Sequence, residues 1–180
     1  LSGVLGLSGL EANTDVAGAA ANLNDAVVNA AAEKVDEAKE AVASAYLCMR
    51  AIDQVEDHAT LDPAVKTQLL RQISLNLQSG TASSSAEDFT EGLDGFEASL
   101  EEVTLRIGEW AMLAPNSIAP RIWDATAAMA DRMAYWAERN WRIETEADLN
   151  RYTFSVAGAV GLMLSDLWAW YDGTETSRSE

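Results

Sequence analysis

A chain of 180 residues, 48% of them apolar, is long enough for one domain with a sizeable core and leaves little room for a second. Its 29 acidic residues against 12 basic ones give a formal charge of −17, and the basic residues are scattered, which removes nucleic acid from the expected partners. A single cysteine, Cys48, precludes an internal disulfide. Flanked by Leu47 and Met49, it is expected to be a buried, inert thiol, compatible with a cytoplasmic setting.

Ala, Leu, Glu and Asp dominate, proline is confined to three positions, and no stretch alternates with period two, so the class is all-α. The opening "LSGVLGLSGL" has no Met and no basic lead, and its apolar run is too short for a signal peptide or a span. Residues 11–31 are rich in Ala and Asn and predict a helix of weak periodicity that ends near "AAAEK". From Glu33 to Asp57, Val35, Ala38, Val42, Ala45, Tyr46, Met49 and Ile52 recur at threes and fours. The later half of this helix is apolar on nearly every face and is expected to be buried.

"TLDPAV" places Asp62 as N-cap and Pro63 at the first helical position, predicting a helix over 63–78 with Leu69, Leu70, Ile73 and Leu77 inside. "SGTASSS", residues 79–85, is a loop, and Gly92 and Gly95 interrupt the next stretch. A helix resumes through "FEASLEEVTLRIGEWAML" and stops before Pro115. The next starts at Pro120 and runs to about Ile143, with Trp123, Met129, Met133, Trp136 and Trp141 as core and groove wall. Thr145 and Asp148 form a capping box for the last helix, which Asp172 and Gly173 close. Residues 153–171 are long enough to cross a bilayer, but Asp166 lies inside and Asp148 and Arg151 flank the run. A central helix buried on all sides is the expectation, with peripheral membrane contact left open.

Two constellations carry chemistry. Asp53, Glu56 and Asp57 stand at i, i+3 and i+4, so their side chains leave the helix on one face. Acids on a buried helix need basic partners or a hard cation. Arg50 is the only basic residue within one turn, and magnesium is usually held by one or two carboxylates together with phosphate oxygens. The spacing suits a magnesium-diphosphate site, and an internal salt-bridge cluster is the competing reading. Further along, Tyr152, Val156, Val160 and Leu164 recur every four residues, with Ala157 and Gly161 beside them small enough to leave a groove for a chain-like apolar ligand. Close helix packing at Gly158 and Gly161 is the alternative there. His58 reads as a polar helix end, and Arg132, Arg139 and Arg142 as a solvated face.

"YLCMRAIDQVEDH" and "RYTFSVAGAVGLMLSDLW" together resemble the two signatures of the squalene and phytoene synthase family, an R-x-x-D-x-x-E-D helix and a Tyr followed by V-A-G-x-V-G. The likeness takes in residues 40–178 as a synthase-like core of a single helical domain spanning 1–180, with residues 1–39 a divergent N-terminal segment. It implies an all-α isoprenoid-synthase-like bundle whose members join two polyprenyl diphosphates head to head. On that reading Asp53 and Asp57 bind Mg2+ with Glu56 in support, Arg50 contacts diphosphate, and Tyr152 stands near the departing diphosphate. Val156, Ala157, Val160, Gly161 and Leu164 line the tunnel, and NADPH enters only if the product is squalene. The family's second Asp-rich motif has no counterpart before "GTETSRSE", and its Ser/Arg/Phe patch is replaced by "AGAAANLNDAVVNAAAEKVDEAK". The bundle is therefore expected to be incomplete at its C-terminus, with binding of one metal-diphosphate the most expected of this chain alone.

Overall fold

Helix α1 runs unbroken over Leu7–Glu56 in the computed structural model, which describes residues 7–174. The two helices expected over 11–31 and 33–57 are one, because "AAAEK" consists of good helix formers and no proline precedes Pro63. Whatever was expected of residues 1–6 and 175–180 lies outside the described residues. Among those described, every regular element is a helix.

The chain divides into two compact units, one up to Asp36 and one from Glu37. The first is the leading part of α1, on which Leu23, Val27 and Val28 are exposed. The second carries the rest of α1 and then α2 (Pro63–Gln78), α3 (Ala86–Thr90), α4 (Glu102–Leu105), α5 (Ile107–Met112), α6 (Ala119–Glu138), α7 (Glu146–Thr153), a π-helical turn (Phe154–Gly158) and α8 (Ala159–Asp172).

Helices α2 and α6 form the most extensive pairing. Leu69, Leu70, Ile73 and Leu77 face inward as their spacing requires, and small polar residues let the two backbones approach, with Ser74 Oγ donating to the Ala127 carbonyl at 3.1 Å. The end of α1 joins the same core through Ala41, Cys48, Ile52 and Val55 and through two long-range bonds. Ser44 Oγ donates to the Trp110 carbonyl at 2.7 Å, and Thr104 Oγ1 to that of Ala51 at 2.8 Å. Burial pushes the Cys48 thiol up to about 12, which keeps it protonated and inert.

Several boundaries differ from expectation for identifiable reasons. The later half of α1 is not buried all round: Tyr46 is 66% and Val42 49% exposed. The helix expected from Phe96 to Leu113 is two short helices preceded by turns. At Gly108 a Cβ would stand 2.0 Å from the Ala86 carbonyl oxygen, so α5 lies directly against the start of α3. Helix α3 follows the expected loop and is announced by a capping box, Ser85 with Asp88. Helix α6 stops at Glu138, five residues early, in a Schellman turn: Asn140 N–H bonds the Ala137 carbonyl and Trp141 N–H the Trp136 carbonyl.

The last helix begins at its capping box and closes at Gly173, with φ 69°, as expected. It is not buried on all sides, however. Ser155, Ala159, Met163 and Leu167 face the core, whereas Leu162, Leu164 and Trp168 are 52%, 45% and 65% exposed. Composition marks this segment as apolar all round, but its neighbours cover only one face. Among the described residues no helix is long and apolar enough to cross a membrane.

Candidate functional site

A cavity of about 330 Å³ opens between the end of α1, α6 and α8. Val42, Ala45, Tyr46 and Met49 form its α1 wall, Met129 comes from α6, and Val156, Val160, Met163, Leu164 and Leu167 form the opposite wall. Arg50 and Asp53 stand at its edge as the charged lining residues. The groove is thus apolar along its length and charged at one end, the shape that suits a ligand with a hydrocarbon tail and an anionic head.

Of the residues singled out on the last helix, Val156, Val160 and Leu164 line this groove. Ala157 and Gly161 are exposed and lie outside the lining, and a Cβ at Gly161 would meet open space. The π-helical turn between Tyr152 and Val160 accounts for part of this, since its i→i+5 bonding adds a residue and turns Tyr152 out of register with the residues after it. Gly158 makes room for the turn, as a Cβ there would sit 2.7 Å from the Phe154 ring.

The three acids share a helix face by spacing but not an environment. Asp53 is paired with the Arg50 guanidinium. Asp57 follows the last helical residue of α1 and is exposed. Glu56 is buried, and its carboxylate accepts the Trp141 indole N–H. Burial pushes the Glu56 carboxyl above its ordinary range; the Trp141 bond opposes this, Asp57 and Asp53 add to it, and Lys66 opposes it. Beside them the Tyr152 ring meets Trp136 edge to face with centroids 5.7 Å apart. Burial first, then the field of Glu56, Asp57 and Asp53, holds the Tyr152 phenol above its ordinary range. At neutral pH Tyr152 is a proton-bearing donor next to an acidic helix end.

Among the described residues, no three His, Cys, Asp or Glu side chains gather tightly enough to cage a metal ion. Two carboxylates a helical turn apart, Asp53 and Asp57, fit a cation that takes its remaining ligands from water and phosphate, which is magnesium's usual arrangement, and do not fit an all-protein cage. His58 lies just past the end of α1, its Nε2 hydrogen-bonded to the Ser99 carbonyl at 2.7 Å. Arg132 and Arg139 lie over the rings of Phe154 and Tyr135.

Lys66 and Trp141 were not legible as site residues. Lys66 lies in the first turn of α2, and its ammonium is buried and donates to the Glu56 carbonyl at 2.6 Å, while lying 4.8 Å from the centroid of the Trp141 ring. A lysine at that position carries no local signal. Trp141 continued an apolar pattern in the sequence, and the clue to its separate role was the Asn140 before it, a common helix terminator.

Squalene synthase of Schizosaccharomyces pombe is 33% identical to this chain over 138 residues, covering 73% of this chain and 29% of that protein. Squalene synthase of Eremothecium gossypii is 35% identical over 135 residues, covering 73% and 30%. The chain thus spans about 30% of the length of the curated relatives it matches. No solved structure matches it at a significant level. The sequence model of squalene/phytoene synthase matches residues 35–179, a stretch that contains the acid-bearing end of α1, the groove and the Tyr152 helix, and the chain belongs to that family.

Proposed function

We propose that this chain binds a prenyl diphosphate, with the tail in the apolar groove and the head at Arg50, Asp53 and Asp57, as part of a head-to-head prenyl transferase of squalene or phytoene synthase type. The observation that carries this reading is that one groove has both apolar walls and charged residues at one end. Arg50 offers a guanidinium to diphosphate oxygens, exchanging Asp53 for a ligand of higher charge. Tyr152, holding its proton, donates a hydrogen bond toward a departing diphosphate and does not serve as a phenolate base at neutral pH. The walls from Val42 to Leu167 exclude water from a reacting allylic carbon. Magnesium, when bound through Asp53 and Asp57, neutralises charge growing on the diphosphate. Leu162 and Trp168 add exposed apolar surface, which supports peripheral contact with the membrane that carries such lipids.

Calorimetric titration with farnesyl diphosphate tests the reading. Binding is expected to require magnesium, and Asp53→Asn and Asp57→Asn are each expected to weaken it by about tenfold or more. Unchanged affinity in both variants would remove the metal role. A second reading, a non-catalytic helical module, draws on the ion pair that Arg50 already makes with Asp53. It predicts a melting temperature indifferent to magnesium and pyrophosphate, whereas ligand binding to the native state must raise it.

A further inference from the structure

Trp141 holds a backbone conformation that few residues of its size accept, with φ 49°, directly after Asn140 at φ 52°. The Schellman turn that ends α6 accounts for Asn140, since that motif needs one left-handed residue. It does not account for Trp141. What the second left-handed residue achieves is a contact: it brings the indole N–H onto the Glu56 carboxylate. Lys66 completes the group, donating to the Glu56 backbone carbonyl at 2.6 Å and placing its charge against the indole ring. Two separate segments, the start of α2 and the α6–α7 connection, therefore close on the glutamate that ends α1. The Trp136 carbonyl that accepts the Trp141 N–H belongs to the residue whose ring supports Tyr152.

We propose that Trp141 and Lys66 are positioning residues that lock Glu56, so that Glu56 fixes the aim of Asp53 and Asp57 instead of ligating the cation itself. The inference rests on the proposed metal role of Asp53 and Asp57 and deepens it. A carboxylate oxygen that leaves the indole for a metal would strand a half-buried N–H, and the Lys66 ammonium already supplies positive charge on that side of Glu56. By capping the last helical carbonyl of α1, Lys66 also fixes the helix end from which Asp53 and Asp57 project.

The test uses the full chain with magnesium and inorganic pyrophosphate as the probe, read by calorimetry, and hydrogen exchange of the free chain as a separate readout. Glu56→Gln keeps an oxygen for the indole N–H and should bind within about threefold of the unaltered chain, whereas Asp53→Asn and Trp141→Phe should each lose about tenfold. In the free chain the Trp141 indole N–H should exchange on the order of a hundredfold more slowly than that of exposed Trp168, and Glu56→Ala should release it. A Glu56→Gln loss equal to that of Asp53→Asn makes Glu56 a ligand and overturns the proposal. So does a Trp141→Phe chain that binds as the unaltered one does, or a Trp141 indole that exchanges as fast as that of Trp168. Absence of magnesium-dependent binding by the unaltered chain brings down the metal assignment and this role with it, whereas the other failures leave the metal assignment standing.

Discussion

Asp53, Glu56 and Asp57 are interchangeable by spacing, yet the fold gives one an arginine and one a half-buried indole and leaves one exposed. The helix period told which face they share. It could not tell how far the next segment covers that face, because the covering residue, Trp141, arrives 85 positions later in the sequence. The difference has a consequence for pH. The folded chain raises the Glu56 carboxyl mainly by burial, so it binds that proton more tightly than the unfolded chain does. Stability is therefore lost as pH rises from the ordinary carboxylate range through the folded value, and is unaffected below both. Glu56→Gln, which carries no charge to bury, is expected to melt about 3 °C higher than the unaltered chain at pH 8, with the gain vanishing near pH 4. Paired melts across that range check it, and a gain that grows toward acid would contradict the burial argument.

At the scale of elements, what was legible was what a few adjacent residues decide. Asp62 accepts from the Ala64 N–H with Pro63 behind it, and α2 begins where those two residues predict. Thr145 and Asp148 cap α7 reciprocally, and Gly173 closes α8. Boundaries set by distant packing were not legible. Residues from Phe96 to Leu113 have a helical pattern, but Thr104 is drawn to the Ala51 carbonyl and Gly108 to the Ala86 backbone, which divides the run. The π-helical turn has no local signal either; its glycine, Gly158, reads equally as a packing residue. Because Gly108 faces backbone and not a movable side chain, Gly108→Ala is expected to cost about 3 kcal/mol, near the upper end for overpacking. Denaturant unfolding measures it, and a loss under about 0.5 kcal/mol would mean that α3 and α5 can part without consequence.

Over the whole molecule, the groove is a product of assembly. No one segment contains it: its walls come from residues 42–53, from Met129 and from residues 156–167. Val156, Val160 and Leu164 were legible as a wall from their spacing and Met129 as core and groove wall, whereas Val42, Ala45, Tyr46 and Met49 carried only the pattern of a buried helix. The family resemblance placed Ala157 and Gly161 in the lining, whereas the π-helical turn and the single-sided burial of α8 leave both facing outward. If a prenyl diphosphate binds as proposed, its tail and head sit on different elements, since Val160 lies in the lining and belongs to α8, away from the α1 turn that bears Asp53 and Asp57. Val160→Trp fills the space offered to a tail and leaves the charged end untouched. Farnesyl diphosphate is expected to bind this variant about tenfold more weakly, the loss of part of its buried hydrocarbon contact, while inorganic pyrophosphate with magnesium binds as before. Parallel titrations of the two ligands decide the matter. Equal weakening of both would mean that tail and head do not occupy distinct parts of one groove, and unchanged binding of both would put the tail elsewhere.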